Sequence, residues 1–457
     1  EHSWLPLFAR HTPDIFLLQR FLRLADYPCF LRYLIRSRQI DMVLLSHSEF
    51  GYHLLPYLRA SCPEVPFVDL CHIEEEYWKD GGYPRMSVEY QELLDLQLVV
   101  SEHLKEWMVS RGANPQRIRT CHVNVDVEKW RPDAARRHSV RQELGLDEQV
   151  PVILYAGRIC FQKQPRVFAR TIQQLARMSC AFVALVVGDG PELEWLRSFL
   201  AREGLDCHVR LLGAVANQRM QQLMASADVF FLPSLWEGIA LTIYEAMASS
   251  LPIVSADVGG QRELVTPECG VLLARSDEAT EANQYAAVLS QLLSDPARSA
   301  RMGRAGRERI RSHFRIEQMV ERILTLFQEA MQNRLSVIPE LKEERFQVLH
   351  SAVLQEQERC IESLAHENAW LKNERETWRR LAEERELMIQ EQRKWIQELE
   401  EGKSWLEEHW ANWKKLAEER ERVIQEWQQN LWGRVSMRLG VLRRPHVIQN
   451  KHGQETD

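Results

Sequence analysis

No apolar run in the 457-residue sequence approaches 18 residues, so no membrane-spanning helix is expected. Cysteine pairs at C-x-x-C spacing are also missing. The nine cysteines (Cys29, Cys62, Cys71, Cys121, Cys160, Cys180, Cys207, Cys269, Cys360) are scattered and odd in number, which reads as reduced, cytosolic thiols rather than a disulfide frame or zinc site. Basic excess is absent too. A net charge of −7 argues against nucleic acid as the main partner, because gripping a phosphate backbone needs a basic face. Glu1 opens the chain without a Met or a signal-peptide pattern, so a fragment or processed piece is expected.

Hydrophobic content of 45% and charged content of 27% are ordinary for soluble globular chains. The length suggests about three domains. Residues 1–38 are helical in flavour, with leucines and aromatics interleaved with arginines. Strands are predicted at Met42 to Leu45, Val65 to Leu70, Leu96 to Val100 and Ile118 to Val123. From Val150 the alternation repeats, through VPVILYAG, AFVALVVGDG, VRLLG, DVFFLP, LPIVSADVGG and CGVLLAR, with helices between and after. Strands alternating with helices predict parallel sheets covered on both faces, here two doubly wound α/β domains. Ligands of such sheets collect at the carboxyl ends of strands, where Arg158, Asp189, Glu237 and Gly259 fall.

Past residue 335 strand signals stop, glycine nearly vanishes, and Glu, Arg, Lys, Gln and Trp dominate. Leu364, Leu371, Trp378, Leu399, Leu406, Trp413 and Trp427 share one heptad position, interrupted by Arg385, Gln392 and Arg420. Leu381, Met388, Trp395, Leu416 and Val423 share another, with Gly402 and His409 as defects, which makes an imperfect coiled-coil seam. WRRLAEERELMIQE at 378–391 returns as WKKLAEERERVIQE at 413–426, an offset of 35 residues, or five heptads, that keeps the same face. Eight of the 14 tryptophans lie in this region. Aromatic and basic residues together also bind sugars or single strands, but heptad placement favours an interaction rod. The closing LWGRVSMRLGVLRRPH is basic and partly apolar, suited to an acidic surface or a membrane.

The chemistry concentrates between Asp228 and Val265. Glu237 follows a strand and Glu245 lies in a helix from Leu241 to Ala248, with seven residues between the two acids. A loop plus one helical turn would set the carboxylates roughly 10 Å apart. That spacing suits two polyol ends of one extended ligand, with the helix N-terminus between them as a seat for an anion. The bland alternative is a surface acid and a helix-face acid. Gly238, Leu251-Pro252 and Gly259-Gly260 around them favour function. Arg158 and Lys163, five positions apart after the VILYAG strand, are suited to neutralising a diphosphate leaving group in the part a metal plays elsewhere. In isolation such a pair is merely two solvated cations. His72 ends a strand before Glu74-Glu75-Glu76, where a structural histidine is the commoner outcome and a metal site lacks a second histidine at ligand spacing.

These residues resemble a known family. GR…K at 157–163, GDGPE at 188–192, PS-x-x-EG at 233–238, EAMA-x-x-x-P at 245–252 and DVGG-x-x-E at 257–263 are similar to the retaining glycosyltransferases of family four (glycosyl transferases group 1), which have the GT-B fold. The stretch from Ser101 to Pro132 resembles the family's domain-closing segment, with Asn124-Val125-Asp126 where NGVD is usual. The similarity covers about residues 40–330. It implies that Gly157, Arg158 and Lys163 meet the donor diphosphate and that Glu245 holds the ribose hydroxyls. It also implies Glu237 at the donor sugar, the backbone from Gly238 through Ile239, Ala240, Leu241 and Thr242 near sugar and phosphate, and His72 beside the acceptor-side catalytic centre. Ala240 and Ser250 depart from glycines common in the family. No opening strand with a glycine-rich loop precedes Asp41, so the first domain is expected to lack its opening strands, as a fragment of a longer bacterial protein would.

The resulting expectation is an α/β chain of two Rossmann-like domains followed by a long helical coiled coil. The domains expected are an incomplete acceptor-side domain (1–148), a nucleotide-sugar donor domain with a cross-back helix (149–335), a coiled coil (336–432) and a basic or disordered tail (433–457). The expected reaction moves a sugar from a nucleoside-diphosphate sugar to a hydroxyl of a glycan or lipid-linked glycan with retention, needing no metal and no further cofactor. Partners would be that donor, that acceptor, a coiled-coil copy or protein partner, and a peripheral contact at the cytoplasmic face of a membrane, with no nucleic acid. The alternative is a non-catalytic scaffold of a polysaccharide-assembly complex. A phosphorylase is a weaker rival, because the cofactor-lysine pattern it requires is missing.

Overall fold

Among the described residues, ten short strands carry the β-branched and aromatic runs. They are β1 (Val43–Ser46), β2 (Phe67–Cys71), β3 (Leu96–Val99), β4 (Ile118–Thr120), β5 (Val152–Ala156), β6 (Val183–Val187), β7 (Val209–Gly213), β8 (Val229–Leu232), β9 (Ile253–Ala256) and β10 (Gly270–Leu273). The computed structural model describes residues 4–178, 181–335, 343–429 and 435. The chain divides into two units, Glu1–Gln357, which holds both sheets, and Glu358–Asp457.

The first sheet runs β1-β2-β3-β4, parallel throughout. Before β1 the described residues form short helical turns and a helix at Tyr27–Ser37, with no strand among them. The second sheet has the order β10-β9-β8-β5-β6-β7, also all parallel. Strands β5, β8 and β9 are buried along their whole length, as strands sandwiched between helices must be. The chain starts in mid-sheet at β5, builds outward to β7, then returns to β8 on the other side of β5. The strand order therefore reverses between β5 and β8, whose carboxyl ends open a crevice for a ligand.

The helix Ile316–Gln332 returns to the first sheet, where Leu326 and Ala330 pack with Val68, Leu96, Leu98 and Cys121. Its far end is tied down by Leu335 N–H, which donates to Asp95 at 2.7 Å, while Asp95 also holds the buried Arg59 guanidinium in a two-pronged pair at 2.8 Å. This helix thereby ties the chain that follows the second sheet to the first sheet.

Residues Glu343–Gln429 form one 87-residue helix. Of the heptad positions named above, Met388, Trp395, Leu399, Leu406, Trp413, Leu416 and Val423 are all exposed. The side chains of Leu364, Leu371, Trp378, Leu381 and Trp427 lie outside the described residues, as does the basic end apart from Val435. No described helix is long and apolar enough to cross a membrane.

Candidate active site

The loop after β5 and the loop after β8 lock together. Leu235 N–H donates to the Gln162 carbonyl at 2.8 Å, and Gln162 Nε2 donates to the Trp236 carbonyl at 3.1 Å. The Tyr155 hydroxyl, at the buried end of β5, donates to the Lys163 carbonyl at 3.0 Å and fixes the loop's exit. With the loops so held, the Lys163 ammonium pairs directly with the Glu237 carboxylate, and Glu237 is only 5% exposed. Arg158 stays exposed and has no side-chain partner among the described residues. Of the two predicted cations, one is neutralised in place and the other is free to meet an anion.

Beyond Glu237 the chain turns into the helix Leu241–Ala248. Ile239 and Ala240 are buried, Thr242 is half-buried and Leu241 is exposed. Ala240 stands at the N-cap and offers no side-chain oxygen, so the first-turn N–H groups lack a capping acceptor. Its φ of −67° is comfortable for alanine, so the backbone here does not require glycine. Ser250 is different: it sits at φ +65°, in the left-handed region that favours glycine.

Glu245 projects from this helix with no cation partner among the described residues, and burial pushes its carboxyl up to about 7. A desolvated carboxylate without a partner gains most from a ligand that donates hydrogen bonds, such as a diol.

The first sheet supplies the facing wall. His72 follows β2 directly, and burial together with neighbouring His47 lowers its imidazole to about 4, so the ring is neutral across the physiological range. His47, after β1, meets His72 edge-on at 4.5 Å and stacks on Tyr83 at 5.1 Å. The same position just past a strand that singled out His72 also points to His47. The approach of the two walls is tight, since a Cβ on Gly238 would lie 2.0 Å from the His72 carbonyl oxygen, and within the second wall Gly260 N–H donates to the Gly238 carbonyl at 2.7 Å.

A second contact joins the walls. The Glu263 carboxylate accepts from the N–H groups of Glu102 and His103 at 2.9 and 2.8 Å, at the N-terminus of the helix Glu102–Ser110, and meets His122 Nε2 at 2.9 Å. Burial pushes this carboxyl up, but the hydrogen bonds from His122 and the two N–H groups outweigh it and hold the group below its usual range. Around it Glu102, His103, Glu106, Asp257, Gly259, Arg262 and Glu263 line a cavity of 400 Å³. Glu74 meets His103 at 2.9 Å. A separate 300 Å³ cavity, lined by Val150, Pro151, Asp228 and Pro252 among others, lies at the amino ends of β5, β8 and β9, away from all these groups.

Residues 136–309 match the family described as Glycosyl transferases group 1. The matched segment spans all six strands of the second sheet, including the β5–β8 crevice. Among similar proteins is the GDP-mannose-dependent monoacylated alpha-(1-6)-phosphatidylinositol monomannoside mannosyltransferase of Corynebacterium glutamicum, 29% identical over 244 residues, covering 51% of this chain and 62% of that protein. The D-inositol 3-phosphate glycosyltransferase 1 of Catenulispora acidiphila is 31% identical over 231 residues, covering 48% of this chain and 54% of that protein. The chain thus spans little more than half the length of these two relatives. Among solved structures, Anabaena HepE in complex with UDP superposes with a TM-score of 0.58 at 19% identity, covering 67% of this chain and 81% of that one. The likeness establishes a GT-B-like fold of two parallel α/β sheets.

Proposed function

We propose that the chain transfers a sugar from a nucleoside-diphosphate sugar to a hydroxyl of a glycan or lipid-linked glycan, with retention at the anomeric carbon. The observation that carries this reading is the convergence at the β5–β8 switch point: an unpartnered Arg158, an uncapped helix N-terminus at Ala240 and an unpartnered, half-buried Glu245. An anion seat beside a diol acceptor suits a nucleoside diphosphate. The names of the relatives, one of them GDP-mannose-dependent, and the UDP complex of the structural neighbour point the same way.

In this reading the bond from the anomeric carbon to the diphosphate oxygen breaks with its electron pair going to the diphosphate. A new bond forms from that carbon to the acceptor oxygen, and the acceptor's proton passes to a diphosphate oxygen. Arg158 offsets the charge that develops on the leaving group, and Lys163 joins it once the hydroxyls of the bound donor sugar take over Glu237. Glu245 accepts from the ribose hydroxyls, and Glu237, held by Lys163, faces the donor sugar. His72, neutral, orients the acceptor side. The exposed helix face from Met388 to Val423 is assigned to self-association.

The test is to incubate the full chain with UDP-, GDP- and ADP-sugars and a panel of glycan acceptors. Release of nucleoside diphosphate and the anomeric configuration of the product by proton NMR are then followed. Transfer with retention supports the reading, whereas inversion, or no turnover of any donor, contradicts it.

A further inference from the structure

Three aromatic side chains gather where the two walls of the crevice meet, and none is used above. Tyr77, five residues past His72, lies with its ring 5.3 Å from that of Trp236, the residue before Glu237. Phe161, between Arg158 and Lys163, lies 6.1 Å from Trp236 on another side. All three stand on loops leaving the carboxyl ends of strands: β2, β8 and β5. Tyr77 is 77% exposed and Phe161 57% exposed, although full burial of such rings is worth about 1.5–3 kcal/mol each. Rings left in water beside reactive groups are suited to a ligand with an apolar face.

The charge around them restricts which ligand. The loop carrying Tyr77 reads Glu74-Glu75-Glu76-Tyr77-Trp78-Lys79-Asp80, and its single cation, Lys79, is already paired with Glu49. The cavity beyond Gly259 holds more acids than cations, with Glu102, Glu106, Asp257 and Glu263 against Arg262, paired with Asp257, and His103, paired with Glu74, while Glu263 also meets His122. Carboxylates accept hydrogen bonds from sugar hydroxyls but repel phosphate. A pyranose presents one C–H face to an aromatic ring and hydroxyls around its edge, matching both features at once.

Resting on the transferase reading, we infer that Tyr77, Trp236 and Phe161 form an acceptor subsite that stacks the ring of a neutral, unphosphorylated sugar. The two curated relatives above are named for phosphorylated inositol acceptors, so this subsite would set the chain apart from them in acceptor charge.

The experiment is saturation-transfer NMR on the full chain, with and without UDP, GDP or ADP. The probes are methyl α-glucoside, methyl α-mannoside and maltose, compared with glucose 1-phosphate and glucose 6-phosphate. With the nucleoside diphosphate bound, so that Arg158 is occupied, neutral glycosides are expected to receive saturation and to bind at least tenfold more tightly than the phosphosugars. Affinity is expected to fall at least tenfold in Tyr77→Ala and Phe161→Ala, to persist in Tyr77→Phe, and to leave nucleoside diphosphate binding unchanged in all three. Circular dichroism and melting curves establish that the variants are folded. Any of four results overturns the subsite: no transfer to a neutral glycoside, tighter phosphosugar binding, ring variants that bind glycosides like the parent, or ring variants that lose nucleoside diphosphate affinity. Failure of the donor reading would show separately, as absent nucleoside diphosphate binding by calorimetry, while the nucleotide-free NMR arm still reports on the rings.

Discussion

Lys163 and Glu237 form an ion pair across the β5–β8 crevice, with side chains 16% and 6% exposed. Removing one partner of a buried pair leaves the other charge desolvated, which costs about 3 kcal/mol, whereas removing both costs less than the sum. Lys163→Ala and Glu237→Gln are therefore each expected to destabilise the fold, with a coupling above about 1 kcal/mol in a double-mutant denaturation cycle. In the proposed reaction Lys163→Ala should also lower turnover by about 10²–10³-fold, the range for losing one stabiliser of developing charge. Near-normal turnover would remove Lys163 from the mechanism.

Gly238 is where the two walls come closest. A methyl group at this position would lie 2.0 Å from the His72 carbonyl oxygen, far inside van der Waals contact. Gly238→Ala is expected to wedge His72 away from Glu237 and to lower kcat at least 100-fold, while the second sheet keeps its own core. Measured kcat with a melting curve checks this, and an unchanged kcat would show that the approach of the walls is irrelevant to catalysis.

Glu245 sets binding against stability. Its folded carboxyl, pushed by burial from the ordinary 4.5 up to about 7, holds a proton more tightly than the unfolded chain does. Stability then falls as pH rises from 4.5 toward 7 and is flat above, because the charged form is the one burial disfavours. Glu245→Gln should stabilise the ligand-free protein by about 1–2 kcal/mol at pH 8 and by much less at pH 5, even after discounting for residual solvent access. The same variant should bind nucleoside diphosphates more weakly. Equal stabilisation at both pH values in chemical denaturation would contradict this assignment.

The long helix makes a separate prediction. Ile389, Ile396 and Ile424, all exposed, each follow a heptad-position residue (Met388, Trp395, Val423) by one position and make the apolar stripe wider than a two-helix seam would need. Sedimentation equilibrium of the full chain is expected to show three or more copies per particle. A monomer at micromolar concentration would remove the self-association proposal.

Much of this was legible in the sequence because its causes are local. The apolar runs from Val152 to Ala156 and from Val229 to Leu232 announced buried parallel strands, and the motifs that follow them lie at the predicted carboxyl ends. What was not legible depends on elements far apart in the chain. Lys163 and Glu237 were assigned to different parts of a ligand, and their pairing follows only once Gln162 and Leu235 lock two loops together. Glu263 was visible as a motif acid, but its partners His122 and the N–H of His103 are more than a hundred positions away. Ser250 was visible as a departure from glycine, but the positive φ it adopts shows only in the fold. Trp236 had a signal, an aromatic directly before Glu237, whereas Tyr77 had none until the two loops were brought together.

The most direct test of the central claim is calorimetric titration of the full chain and its Arg158→Ala variant with UDP, GDP and ADP. At least one nucleoside diphosphate should bind the parent chain, and Arg158→Ala should weaken it by about 30–150-fold, the loss expected for a charge-assisted contact of about 2–3 kcal/mol. If none of the three binds, or if Arg158→Ala binds as tightly as the parent, the crevice between β5 and β8 is not a donor site.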